Sequence, residues 1–506
     1  MKNFKLNGTA TAIALILPAS TAFADVSAAQ VWGDMKTYMQ DFGYTVSGDE
    51  RVDGNALILE NTMLSMALPD GAGNFSVTTG TMTLTDKGDG TVDVSMPASL
   101  PMTFNINVEG DPVSGRINYD QTGFVMTVSG DPDDMTYTYA ANSLAMSLAE
   151  LVVDGEAAPA DMIRAVVTLN KVSGFSQMIK ANLRNISQSM SIGSMDYDIN
   201  VAPPKEGRFV MSGSAQDLSF SGTTAIPFQM DLNDMASAIK AGFAVDGTFQ
   251  HKGGKTDFLF QEDDETVSGS SSTSAGSFGF VINDKRLRYQ ISGDDMAMFF
   301  QGGDIPFPVN LQMAKTLFDL AIPVSKDADT AQDFSLAVTL GEFEMSDILW
   351  SIIDGAAILP RDPATISMDI AGTAKLLLDF MDPQEMAMVE EGVMPAELET
   401  LTLNNLLVQA AGAKIAGDGA FTFDNTDTET FDGMPRPQGA LNISVNGANG
   451  LIDKLVQMGL VQDEQAMGAR MMMSMFAVPG DGEDALKSKI EVNEQGHVLA
   501  NGQRLR

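Results

Sequence analysis

The sequence predicts a mainly β protein of the α+β kind: an extended, curved antiparallel sheet built from repeated multi-strand units, with a few short helices. Three observations lead there. Apolar and polar residues alternate with period two over many segments. Clusters of Gly, Asp and Pro separate those segments at intervals suited to a meander. A central stretch also repeats itself at an offset of about 80 residues.

Residues 1–24 read as a secretory leader, a signal peptide. Lys2 and Lys5 precede an apolar stretch from Ala10 to Pro18, and Ala22-Phe23-Ala24 puts small residues where a signal peptidase reads them. The mature chain is therefore expected to begin near Asp25, in the periplasm. Ser27 to Phe42 reads as an opening helix. Ser27 and Gln30 form a capping box, Val31, Trp32, Met35, Tyr38, Met39 and Phe42 share one face, and Gly43 closes it.

From there the period is two. Met102, Phe104, Ile106 and Val108 alternate with Thr103, Asn105 and Asn107, and the same rhythm runs through 81–85 and 92–96. Lys87-Gly88-Asp89-Gly90, Glu109-Gly110-Asp111-Pro112 and Gly130-Asp131-Pro132-Asp133 supply turns. Arg208 aligns with Arg288, Ser212-Gly213 with Ser292-Gly293, Phe220 with Phe300 and Gly222 with Gly302. One deletion later, Ile226-Pro227-Phe228 matches Ile305-Pro306-Phe307. Each copy is expected to run into a helix, at Met235-Ala236 and at Met313-Ala314, and a degraded third copy to start at Ser129-Gly130. Such a unit buries its apolar face by stacking on the next. Two regions are expected: 25–230, β-rich with the opening helix, and 231–506, β-rich with capping helices.

In the second half Ser346 is expected to cap a helix over Asp347 to Asp354 that Gly355 closes. Asp382-Pro383 opens another, ended by Gly392. Strand alternation returns at 401–403, 420–423 and 441–445. Two helices follow, around 451–458 and a methionine-rich 467–476, before an extended end. The serine-heavy run Gly269 to Gly276 reads as a flexible loop.

The formal charge is −37 at pH 7, and the leader contributes two of the lysines. Nucleic acid and anionic headgroups are repelled by such a field, which also serves solubility. With 44% hydrophobic residues the chain has material for a core. It has no cysteine, so disulfides, thiolate metal sites and a lipoprotein anchor are excluded. No apolar run after the leader is long enough to cross a bilayer as a helix.

No stretch carries a catalytic, metal or cofactor signature. The two histidines, His251 and His497, read as surface residues in turns or strand ends, and no Gly-x-Ser-x-Gly elbow accompanies them. Acidic clusters at Glu262-Asp263-Asp264-Glu265, at Asp131, Asp133 and Asp134, and at Asp424, Asp427, Glu429 and Asp432 read as solvated loops. Calcium is the alternative, strongest for Asp86 to Asp93, without a complete EF-hand. The 34 methionines, with a run at 471–473, read as core filler; a greasy ligand-binding surface and copper(I) are the alternatives. Arg361 and Asp362 are expected to form a buried ion pair pinning the turn after the Trp350 helix.

Ser346-Asp347-Ile348-Leu349-Trp350, Asp354 and Leu359-Pro360-Arg361-Asp362-Pro363-Ala364-Thr365 resemble an exported alphaproteobacterial family, domain of unknown function 2125. So do Gln30-Val31-Trp32 and Val46-Ser47-Gly48, which extends the resemblance over the whole mature chain. It implies no catalytic residues. Strands followed by a helical pair and a closing Gly-x-Val-x-x-Asn-Gly are also similar, at fold level, to AsmA-like and YdgA-like periplasmic proteins. The similarity implies groove-lined sheets used in lipid movement or envelope upkeep. The expectation is thus a non-enzymatic periplasmic protein presenting an apolar groove to a lipid or other hydrophobic ligand. A structural or protein-interaction component of the envelope is second, and an acid-dependent hydrolase third.

Overall fold

The computed structural model describes residues 25–68, 73–108, 111–159, 161–203, 207–228, 230, 234–263 and 265–506. The expected leader, Glu109-Gly110 and Asp264 lie outside the described residues.

Chains that alternate oily and polar side chains pair into antiparallel sheet, and here they form one sheet. Its early strands are β1 (Thr45–Asp53), β2 (Ala56–Ala67), β3 (Gly73–Thr79), β4 (Met82–Asp86), β5 (Val92–Ser95), β6 (Ser99–Val108), β7 (Asp111–Thr122) and β8 (Val125–Asp131). Longer strands follow: β9 (Asp134–Val153), the short β10 (Glu156–Ala157), β11 (Ile163–Lys180), β12 (Arg184–Val201), β13 (Arg208–Ile226), β14 (Ala244–Glu262) and β15 (Glu265–Ile282). Then come β16 (Arg286–Gly302), β17 (Ile305–Pro323), β18 (Asp327–Met345), β19 (Ala364–Leu376), β20 (Ala396–Ala410), β21 (Ala413–Asp424) and β22 (Arg436–Asn446). The end holds β23 (Val478–Pro479), β24 (Ala485–Val492), β25 (Val498–Ala500) and β26 (Gln503–Arg504). The helices are α1 (Ala28–Asp41), α2 (Met235–Lys240), α3 (Asp347–Ile353), α4 (Pro383–Glu390), α5 (Ala448–Gln457) and α6 (Asp463–Phe476).

The pairing is a meander throughout. β3 and β4 lie end to end along β2, β5 and β6 along them, and β7 and β8 along β9, so each couple is one bent strand. From β9 the order β11, β12, β13 continues through to β22 and β24 without a break, including across residue 230.

Each long strand is bent near its middle. Lys171 and Gly193 face each other at a gap in the β11–β12 register, and Asp217, Gly253, Asp295 and Glu342 mark the same depth further along. Asn61, Lys171, Asp217, Gly253, Asp295 and Glu342 all hold left-handed backbone, φ between 46° and 55°. For residues other than glycine this costs about 1–2 kcal/mol each, least for Asn and Asp. The bends align into one crease across the sheet, and the crease reverses the alternation. Leu169 and Val172, three positions apart, belong on opposite faces of a flat strand. Both instead pack into one cluster with Ile192, Ala215 and Leu218. The two arms of the sheet therefore turn their apolar positions toward the same inner side.

Helix α1 lies on that side at the N-terminal end. Ser27 caps it with the expected box to Gln30, and Gly43 follows in left-handed backbone. Val31 and Trp32 pack on Leu57, Leu59, Leu84, Val94, Val128, Met135 and Tyr137. One face of α1 carries Asp34 and Asp41, two helical turns apart. Arg184, 0% exposed, donates from Nη1 to Asp34 Oδ1 at 2.7 Å and from Nε to Asp41 Oδ2 at 3.3 Å. Lys180 also pairs with Asp34, and the Arg184 guanidinium lies 5.6 Å from the Tyr38 ring centre. Burial, then the Asp34 charge, pushes the Tyr137 hydroxyl well above its ordinary range. α2 and the segment before α4 join the row, where Ala238, Ile239, Ile282, Phe42 and Met381 share a cluster and Lys240 pairs with Asp379 at 2.8 Å. Helices α3, α5 and α6 occupy the other end of the strands.

Several expectations are corrected. Residues from Met313 onward continue β17 rather than starting a helix, because Leu311, Met313 and Phe318 keep a period of two around the bend. The two repeat copies fall on β13 and β16, three strands apart and so running in opposite directions, and the first alone is followed by a helix. Gly269 to Gly276 is the middle of β15, hydrogen-bonded on both sides, not a loop. Its small residues let Phe258 lie flat over Gly269, where a Cβ would approach the ring to 2.5 Å. Ser346 stands at the N-cap of α3 without a side-chain bond, and α6 begins four residues earlier than expected.

Arg184→Ala leaves Asp41 buried without a cation and Asp34 with Lys180 alone, so a loss of about 3–5 kcal/mol is expected in urea unfolding. Hydrogen-exchange protection should drop first in α1. An unchanged midpoint would show that α1 is not held by this network.

Candidate functional site

Following the register from strand to strand separates the two faces of the sheet. Phe220, Phe249, Phe278, Ile291, Phe318, Val338, Met368 and Leu406 form one transverse row on the inner side. A second row beyond the crease runs through Met298, Leu311 and Met345. The adjacent outer row is Ser189, Ser221, Thr248, Gly279, Gln290, Asp319, Ala337, Asp369 and Asn405. Away from the strand ends, no inner position of β14 to β22 is Asp, Glu, Lys or Arg, although the chain carries 67 acids; Glu262 and Glu265 share the inner phase only at the hairpin that joins β14 to β15.

This uncharged face is not filled. Ile291 is 51% exposed, Phe278 42% and Phe318 40%, and Tyr289, Met298, Leu340, Ile366, Val408 and Ile415 are exposed beside them. At about 40% of a side chain of 150–250 Å², such a group leaves on the order of 600–700 Å² of oily surface in one place. That exceeds the few hundred Å² usual for a monomer surface. The whole chain exposes 29128 Å², against roughly 18,000 Å² for a compact body of its mass. The undescribed residues, even fully extended, account for roughly 6,000 Å² of the difference. The sheet is thus an open trough with an apolar lining.

Two recesses adjoin it. At the crease, Met195, Tyr197, Ala215, Leu218, Phe249 and His251 line a cavity of about 380 Å³. His251 is therefore an inner-face residue, not a surface one. Its Nδ1 is buried without a partner, and its ring lies so close to Gly276 that a Cβ there would meet Nε2 at 2.3 Å. The second recess, about 320 Å³, sits between the end of β18, α3 and the 361–364 segment. There Arg361 pairs with Asp347 rather than Asp362, and is only partly buried. The turn is pinned instead by Asp354, which accepts from the backbone N–H of Ile358 at 3.0 Å and of Leu359 at 2.6 Å. The Ile358 bond leads in holding the Asp354 carboxyl below the usual carboxylate range, with Leu359 and the Arg361 charge adding to it.

The acidic clusters lie elsewhere and are largely engaged. Asp131 accepts from the N–H groups of Asp133 and Asp134 in a hairpin turn, and Glu262 and Glu265 flank another. Asp424 and Asp427 share Arg436. Asp86 accepts from Ala28 N, Asp89 from Thr91, and Asp93 from Lys87 and Thr127. Among the described residues no three His, Asp or Glu side chains converge on a possible metal site. His497 lies in the turn before β25, its N–H donating to Asn493. Met467, Met471, Met472 and Met475 of α6 face solvent rather than a core, Met471 at 70% exposure. The Arg184 network and the crease were not legible in the sequence; the arginine at the head of β12, in phase with Ile186, Met190 and Ile192, was the available signal.

Fold and site together define an open, one-sheet protein with an uncharged trough. Residues 237–502 match a family described as uncharacterized proteins conserved in bacteria, domain of unknown function 2125, and the chain belongs to that family. No curated protein and no solved structure matches the chain significantly. Among the described residues no helix is long and apolar enough to cross a membrane.

Because the folded pKa of Asp354 is depressed, its stabilisation is full above the unfolded value of about 3.9 and is lost as pH falls through the folded value. In a Trp32→Phe background, Trp350 fluorescence should report local loosening as pH drops below about 4. Asp354→Asn should flatten that transition; a transition unchanged by the substitution would sink the assignment.

Proposed function

We propose that the protein is a non-enzymatic, exported component of the alphaproteobacterial envelope that holds lipid acyl chains in its trough. The carrying observation is the uncharged, half-exposed inner face in a chain of net charge −37. An apolar surface of this size persists in water when it is a binding surface. Strands spaced about 4.8 Å apart give β13 to β22 a length of about 43 Å, enough for long acyl chains. The fold-level resemblance of the sequence to AsmA-like and YdgA-like proteins and the leader-like pattern of residues 1–24 fit the same reading. An acid-dependent hydrolase would need paired carboxylates in the cleft, and Glu262 and Glu265, which face each other in the inner phase, sit exposed at the β14–β15 hairpin on the rim rather than within it. The solvent-facing methionines of α6 favour, as a second reading, an envelope interaction protein that binds partners there.

Delipidated protein should bind cis-parinaric acid, and native mass spectrometry of freshly purified protein should show co-purified lipid. Ile291→Glu with Phe318→Glu should weaken binding at least tenfold with little change in melting temperature, since both side chains are half exposed. No lipid in the extract and no probe binding would end this reading and leave the interaction role. Osmotic-shock fractionation tests the location.

A further inference from the structure

The recess beside Trp350 joins the trough directly. Phe343, in its wall, is an inner-face position: it pairs with Met313, which pairs with Met296 on the far side of the crease. Arg361, Glu344, Asp347 and Asp362 form the remaining charged wall, with the Trp350 indole beside them. It is the point where the uncharged lining gives way to charge.

Resting on the acyl-chain reading above, we propose that this recess takes the headgroup of a zwitterionic, amine-bearing phospholipid, a phosphoethanolamine whose chains run into the trough. The charges suit both halves of that group. A guanidinium has five N–H donors, and Arg361 has one partner, the well-exposed Asp347. Donors are left for a phosphodiester, which guanidinium recognises in bidentate fashion. Three carboxylates against one guanidinium leave a local excess of two negative charges, which attracts an ammonium and is reduced by it, and an indole face attracts the same cation. An anionic headgroup would meet that excess and the overall charge of −37 uncompensated. The two backbone bonds to Asp354 hold the segment carrying Arg361 and Asp362 in place before any ligand arrives.

The test compares dipalmitoyl phosphatidylethanolamine, phosphatidylglycerol and diacylglycerol, with identical chains, by competition against cis-parinaric acid on the full protein. Soluble glycerophosphoethanolamine serves as the chain-free arm. Phosphatidylethanolamine is expected to bind at least fivefold tighter than either other lipid, and the soluble ester not measurably. Glu344→Gln with Asp362→Asn should erase the preference over phosphatidylglycerol, and Arg361→Gln the preference over diacylglycerol, with parinaric acid binding intact as the control for folding. Equal binding of all three lipids would overturn the headgroup site while leaving the trough. Preference for phosphatidylglycerol, or tight binding of the soluble ester, would overturn the proposed headgroup. Failure of every lipid and of parinaric acid would overturn the acyl-chain reading itself.

Discussion

A pleated strand assigns alternate side chains to opposite faces only while the pleat is unbroken, and one left-handed residue reverses the assignment. Six such residues, at matching depth in different strands, crease this sheet along a single line. Without the crease, Leu169 and Val172 would point to opposite sides, and each arm would offer its oily positions to a different face. With it, both arms line one trough. The residues at the bend suit the task unequally. Asn61, Asp217 and Asp295 are of the types that tolerate left-handed backbone and Gly253 has no Cβ to clash, whereas Lys171 and Glu342 hold it because their neighbours in register impose it.

The trough follows from segregation of charge as much as from shape. Along β14 to β22 the carboxylates stand on the outer face and at the turns, where water solvates them, so the lining between the strand ends is left without charge. Removing that lining from water would stabilise it by roughly 25 cal/mol per Å², yet the sheet covers it only in part. Helices α1 and α2 and the segment before α4 lie over one arm near its turns, while the row through Phe278, Ile291 and Phe318 stays open. An oily strip beside that covered region is thus left facing water.

Where the lining is covered, specificity comes from a buried charge pair. Arg184 lies in a strand and its two carboxylates on a helix, 150 and 143 positions earlier in the chain. Apolar packing alone lets an amphipathic helix slide along an oily face, because that attraction has no direction. A guanidinium fixed between Asp34 and Asp41 sets both the rotation and the axial position of α1.

Local chemistry was legible in advance. The Ser27–Gln30 capping box, the proline-led α4 closed by Gly392, the period-two strands and the turns between them all depend on neighbours a few residues apart, which a sequence displays directly. The same local reading failed at Gly269–Gly276, where serines and glycines resemble a loop but are drawn into β15 by partners on both sides. It failed again at Arg361, whose partner is Asp347 across the turn rather than its neighbour Asp362. The sequence by itself thus determined a curved antiparallel sheet with short capped helices and a strongly acidic surface, since propensity, period and charge are properties of adjacent residues. Tertiary structure alone decided which face both arms share, where α1 is held and how much of the lining meets water. Those outcomes depend on register and on contacts between residues far apart in the chain, which no local pattern encodes.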